Sequence, residues 1–156
     1  MARTDLIAKA AAASLLFALT ACGKDDAPAA ETHAEMTSET GITIENGYVK
    51  APKPGSLTTA AYLDIIADAD DVLLTASSPL ATVEIHEMSM DDGMMKMRKV
   101  ENLDLPSQSK VQLKPGGYHL MLINPDAALA ESETAEITLT FEKAGEIKVN
   151  LPIEAR

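Results

Sequence analysis

Tryptophan is absent from this 156-residue chain, and only two Phe and three Tyr supply aromatic rings. A core without large rings must rest on Leu, Ile, Val and Met, which a domain of about 110 residues can provide. Basic residues are scarce as well: 13 Lys and Arg face 24 Asp and Glu, for a net charge of −11. With no basic patch and no basic stretch interleaved with aromatics, nucleic acid is excluded as a partner. The acidity fits a soluble surface, or a docking face for a basic partner. No apolar run reaches the ~20 residues that span a bilayer; Ala10–Leu19 is too short. Cysteine occurs once, at Cys22, so no disulfide can close within the chain.

What stands at the N-terminus is a leader. Arg3 and Lys9 make a basic start, and the apolar stretch from Ala10 follows; together they read as a secretory signal peptide over residues 1–21. Leu19-Thr20-Ala21-Cys22 resembles the lipobox of bacterial lipoproteins. That resemblance implies cleavage before Cys22 and lipidation of its sulfur and new amino group, an anchor of several acyl chains that holds durably. A lipidated Cys22 leaves the mature chain with no thiol. This excludes a thiol–disulfide reductase and a blue-copper electron carrier, both of which need cysteine. Gly23 follows where Asp would be the usual inner-membrane retention signal. By the same resemblance, the expected location is the periplasmic face of the outer membrane.

Residues 22–41 are small, polar and charged, without an apolar period, and read as a flexible tether. Its coil reach is about 25 Å. His33 and Met36 lie in it and read as solvated linker residues. The alternative is a weak auxiliary metal site, the place where Cu(II) could be held. From Ile42 onward come short β-type runs separated by turn residues, with no amphipathic helix. ITLTF and EIKVNLPI place every second apolar residue on one face. Pro52–Gly55, Asp91-Asp92-Gly93, Pro115-Gly116-Gly117, Asn124-Pro125 and Ala144-Gly145 punctuate them. The expectation is a single all-β domain over residues 42–154, an antiparallel sandwich or barrel.

The stretch HEMSMDDGMMKM, His86–Met97, holds five of the chain's eight methionines. On a strand, His86, Met88 and Met90 share a face. A two-residue turn at Asp92-Gly93 would set Met90 opposite Met95 and Met88 opposite Met97. Further on, His119 and Met121 are again same-face neighbours, just after a Gly-rich turn. Methionine fills gaps in cores, so one such cluster would argue for packing. Two clusters beside two of only three histidines supply imidazoles and thioethers together, a neutral soft donor set suited to Cu(I) rather than zinc.

The spacing of these residues, His86-x10-Met97-x21-His119-x-Met121, resembles the signature of the periplasmic copper-A chaperones. The surrounding LKPGGYHLMLIN and ITLTFEKAGEIKVNLPI extend the likeness over residues 42–153. The loop DAALAESET departs from that family's Leu-x-x-Gly-Asp pattern without touching the signature. The resemblance implies a cupredoxin-like β-fold with one Cu(I) on His86, Met97, His119 and Met121. It also implies delivery to the copper-A subunit of cytochrome c oxidase, alongside a thiol-bearing assembly partner. By the same resemblance Met88, Met90, Met94 and Met95 are not primary ligands but a soft rim or hairpin packing. No catalytic motif is present, so the expectation is a carrier and not an enzyme. Copper storage or detoxification is the alternative.

Overall fold

The computed structural model describes residues 36–37 and 41–155; the leader, Cys22 and His33 lie outside the described residues, and of Met36 only the backbone is described. Among the described residues, eleven strands and one short helix form. They are β1 (Met36–Thr37), β2 (Ile42–Lys50), β3 (Thr58–Ala67), β4 (Asp71–Ser77), β5 (Thr82–Asp91), β6 (Met94–Lys99), β7 (Leu103–Leu105), β8 (Lys110–Leu113), β9 (Tyr118–Ile123), α1 (Ala127–Glu131), β10 (Thr134–Phe141) and β11 (Gly145–Glu154).

Hydrogen-bonded neighbours run in the order β6-β5-β9-β8-β3-β2-β11-β10-β4-β7, with β1 on β2 and a second pairing of β9 with β3. The alternation in β10 and β11 buries Ile137, Leu139, Val149 and Leu151 completely or nearly so, because period-two apolar residues all fall on the inner face. Strands β2 and β3 add Ile44, Val49, Leu63 and Ile65 to the same cluster, and β5 and β9 add Ile85, Leu120 and Leu122. One core thus lies beneath the path from β5 to β7, and the chain is the all-β domain the turn spacing calls for.

Four details differ from the sequence reading. The sheet is mixed: β11 runs parallel to β2 through Ile153↔Val49, and β8 parallel to β9 through Leu113↔Tyr118. Strand β7 is too short to show a period, yet it pairs β4 and buries Leu103 and Leu105. Strand β1 falls inside the stretch read as tether, with Met36 opposite Ile44. DAALAESET, read as a loop, contains α1: Asp126 caps it by accepting from the Ala128 N–H at 2.8 Å, and Leu129 drops into the core. Such a cap satisfies an otherwise orphaned donor, and a single buried Leu is too little apolar period to find in sequence.

Methionine also does not do what the composition led us to expect of it. Among the described residues no Met belongs to the core, which is built from Leu, Ile, Val, Ala and Phe141. Met90, Met94, Met95 and Met97 are instead exposed, by 72%, 62%, 58% and 49%. Packing does not explain them.

Candidate metal centre

Residues Ile85, Leu120 and Ala61 point into the core, so their chain neighbours on β5, β9 and β3 must point to the outer face. That face carries His86, His119 and Met121. His86 stands directly opposite His119, and Met121 lies opposite both Glu84 on β5 and Ala60 on β3. On the other side of β5, Met88 faces Met97 and Met90 faces Met95. The hairpin has the register expected of a two-residue turn. Asp92 and Gly93 both take positive φ, 51° and 76°, the type I′ geometry that matches strand twist. Gly93 meets this demand without a Cβ penalty.

The imidazoles are 5.9 Å apart between ring centroids, and the Tyr62 ring lies 6.4 Å from that of His119. Burial, and then the neighbouring Tyr48, push the Tyr62 phenol above its ordinary pKa, so it remains a neutral wall. His119 is only 4% exposed despite sitting on the outer face. Its Nδ1 is 3.1 Å from the Gly117 carbonyl. A carbonyl oxygen only accepts, so Nδ1 carries the proton and Nε2 keeps its lone pair. His86 is wired the other way round. Its Nε2 lies 2.9 Å from a Glu84 carboxylate oxygen, which likewise accepts; Nε2 therefore holds the proton and Nδ1 the lone pair. That Nδ1 is buried and without a hydrogen-bond partner among the described residues. Buried polar atoms are seldom left so, because desolvation is uncompensated. A metal ion would satisfy it.

Glu84 is held in turn by Lys99 at 2.7 Å. The hydrogen bond with His86, and then that with Lys99, keep the Glu84 carboxyl below its usual range. This arrangement, imidazole to carboxylate to lysine, fixes ring orientation and tautomer. The sequence reading missed Glu84. Its signal was there in the i, i−2 spacing to His86, which places it on the same face.

A cavity of about 290 Å³ opens in front of the His119 and Tyr62 rings. Its wall includes three of the four expected ligands, Met97, His119 and Met121, together with Met88, Tyr62 and Lys50. His86 does not line it and stands beside His119. Met97 and Met121 flank the histidine row diagonally, one toward the hairpin tip and the other away from it. Three rotatable bonds give each thioether the reach to converge. Met88, read from the sequence as rim or hairpin packing, is part of the cavity wall. No carboxylate lines the cavity, while Lys50 and Lys53 do. No three His, Cys, Asp or Glu among the described residues gather closely enough to hold a metal. Hard cations want oxygen ligands and negative charge; this site offers neutral nitrogen and sulfur.

Comparison with known proteins agrees with the fold. Residues 42–153 match the family described as "LpqE-like: Putative lipoprotein LpqE-like". The chain belongs to that family. It is 26% identical to "Putative lipoprotein Lxx21020" of Leifsonia xyli subsp. xyli over 155 residues, 97% of this chain and 91% of that one. Among solved structures, the copper-bound PCuAC domain from PmoF2 superposes with a TM-score of 0.65 at 28% identity, covering 79% of this chain and 99% of that domain. The Cu(I) form of DR1885 from Deinococcus radiodurans gives 0.57 at 28% identity, over 70% of this chain and 76% of that one. The fold is that of a PCuAC domain.

Proposed function

We propose that this domain is a carrier of Cu(I), bound by His86 Nδ1, His119 Nε2, and the thioethers of Met97 and Met121. The observation that supports this reading most directly is the opposed proton assignment on the two facing imidazoles. Each ring is fixed by its own acceptor, Glu84 or the Gly117 carbonyl, so that the other nitrogen is left with a lone pair. Copper is cargo here, not a resident cofactor. Thioether and imidazole are neutral donors that suit a monovalent soft ion, and an incoming thiolate can displace them one after another with no change in oxidation state. We infer delivery by such ligand exchange to the copper-A centre of cytochrome c oxidase, with a thiol-bearing partner, from a lipid anchor at Cys22 in the cell envelope.

The test is transfer. The Cu(I)-loaded protein is mixed anaerobically with an apo copper-A domain, the two are separated, and the metal on each is measured. Movement of copper to the acceptor supports delivery. Retention on this chain favours storage, and failure to load Cu(I) at all removes both readings. Cys22→Ser should release the protein from membranes without weakening copper binding. Membrane association that survives the change would refute the anchor.

A further inference from the structure

Four methionines of the β5–β6 hairpin, Met88, Met90, Met94 and Met95, are left over by the four-residue site, and all but Met94 share its face. Val100 N donates to Ile85 O at 2.8 Å, which makes Ile85 and Val100 a hydrogen-bonded pair. Pairs alternate along an antiparallel ladder. Met88↔Met97 and Met90↔Met95 therefore both occupy non-hydrogen-bonded positions, where the strands come closest and opposing side chains meet. The next step along is His86, so the face reads as two thioether rungs followed by imidazole, with rungs about 7 Å apart. The opposite face of the same ribbon is different in kind, with the ion pairs Glu87–Arg98 and Asp91–Lys96. Strand β6 is a sheet edge and all six of its residues are exposed. Exposed edges are usually protected by charge. On its thioether face this one carries charge only at Lys99, beyond the two methionine rungs.

We propose that Met90 and Met95, with Met88 behind them, form a second Cu(I) site made of thioethers alone, at the hairpin tip. Its donors are solvent-accessible and lack imidazole, so it is the weaker of the two and the first that an arriving ion meets. Its position one rung from Met97 makes it an entry point to the cavity. This entry role rests on the four-residue reading above; the existence of the second site does not.

The experiment is a titration of the full chain in detergent micelles, labelled with carbon-13 at the methionine methyls. Ag(I) serves as a redox-inert soft probe, followed by Cu(I) under a chelator. We expect the first equivalent to move the methyl signals of Met97 and Met121, and the second to move those of Met90 and Met95. Met94, on the charged face, should stay still. In the Met90→Leu, Met95→Leu double variant, bulk is kept and only the first equivalent should bind. Static Met90 and Met95 signals through the second equivalent would overturn the proposal, as would a double variant that still takes both. A Met94 shift equal to theirs would overturn it too, because binding would then be unselective. Static Met97 and Met121 signals would sink the four-residue site alone, leaving the tip site to stand on its own shifts.

Discussion

Removing the acceptor behind His86 is the sharpest probe of the site. In Glu84→Ala the imidazole loses the carboxylate 2.9 Å from Nε2, and Lys99, opposite His86 on β6, loses its ion-pair partner. The ring is then free to take the other tautomer and to turn, and an unpaired ammonium remains near an incoming cation. Loss of such a supporting acceptor weakens metal binding by about 10–100-fold, and that range is the expected fall in Cu(I) affinity. Glu84→Gln behaves differently, since its amide oxygen can still accept from Nε2; the expected loss is within about threefold. Lys99→Met leaves the Glu84–His86 bond intact and should also stay within about threefold on the same reasoning. Competition against a chromophoric Cu(I) chelator gives the affinities. Long-range nitrogen-15 spectra of the imidazoles report the tautomer directly, a readout that a general loss of stability would not mimic. The reasoning is refuted if Ala and Gln variants lose equally, or if His86 in the wild type carries its proton on Nδ1.

Three further outcomes follow from named contacts. Met97→Ala should weaken Cu(I) binding far more than Met94→Ala, because Met94 pairs with Asp91 on the opposite face; equal losses in the same chelator assay would break the ligand assignment. Asp71 is buried, which alone would raise its pKa, but N–H bonds from Lys143, Val72 and Ala144 and the Lys143 charge outweigh this and lower it. A lowered folded-state pKa stabilises above the ordinary value and is lost as pH falls below it. Asp71→Ala should therefore cost about 3 kcal/mol at neutral pH, with the gap in urea denaturation narrowing as pH drops below the usual 3.8; a pH-independent gap would contradict the mechanism. Leu129, fully buried on α1, should cost about 3 kcal/mol as Leu129→Ala, measured the same way, and a loss under 1 kcal/mol would mean that the helix is not part of the core.

Strand positions were legible wherever period two or a turn dipeptide marked them. The Asp92-Gly93 turn was enough to fix the Met88↔Met97 and Met90↔Met95 register, because a type I′ loop leaves no freedom in pairing. The contact between His86 and His119 was not legible in that way. It depends on β5 lying against β9, a pairing across more than thirty residues that no local pattern specifies. Strand β7 and helix α1 were missed because three and five residues carry no readable period. The parallel pairing of β11 with β2 escaped for another reason: direction is a property of topology, and both strands look alike in either sense. The composition argument failed on methionine. It assumed that a chain poor in aromatic residues would pack its thioethers, whereas Leu, Ile, Val, Ala and Phe141 fill the interior.

Strands β5 and β9 do two separate jobs on their two faces. Ile85, Leu120 and Leu122 hold the interior, while the residues between them carry the donors of the proposed site. The core contains none of the outward donors, so folding is expected not to wait for metal as a small zinc domain's does. The donor set can consequently drift or be redesigned toward another soft ion, one outward position at a time, while the inward positions continue to specify the same fold.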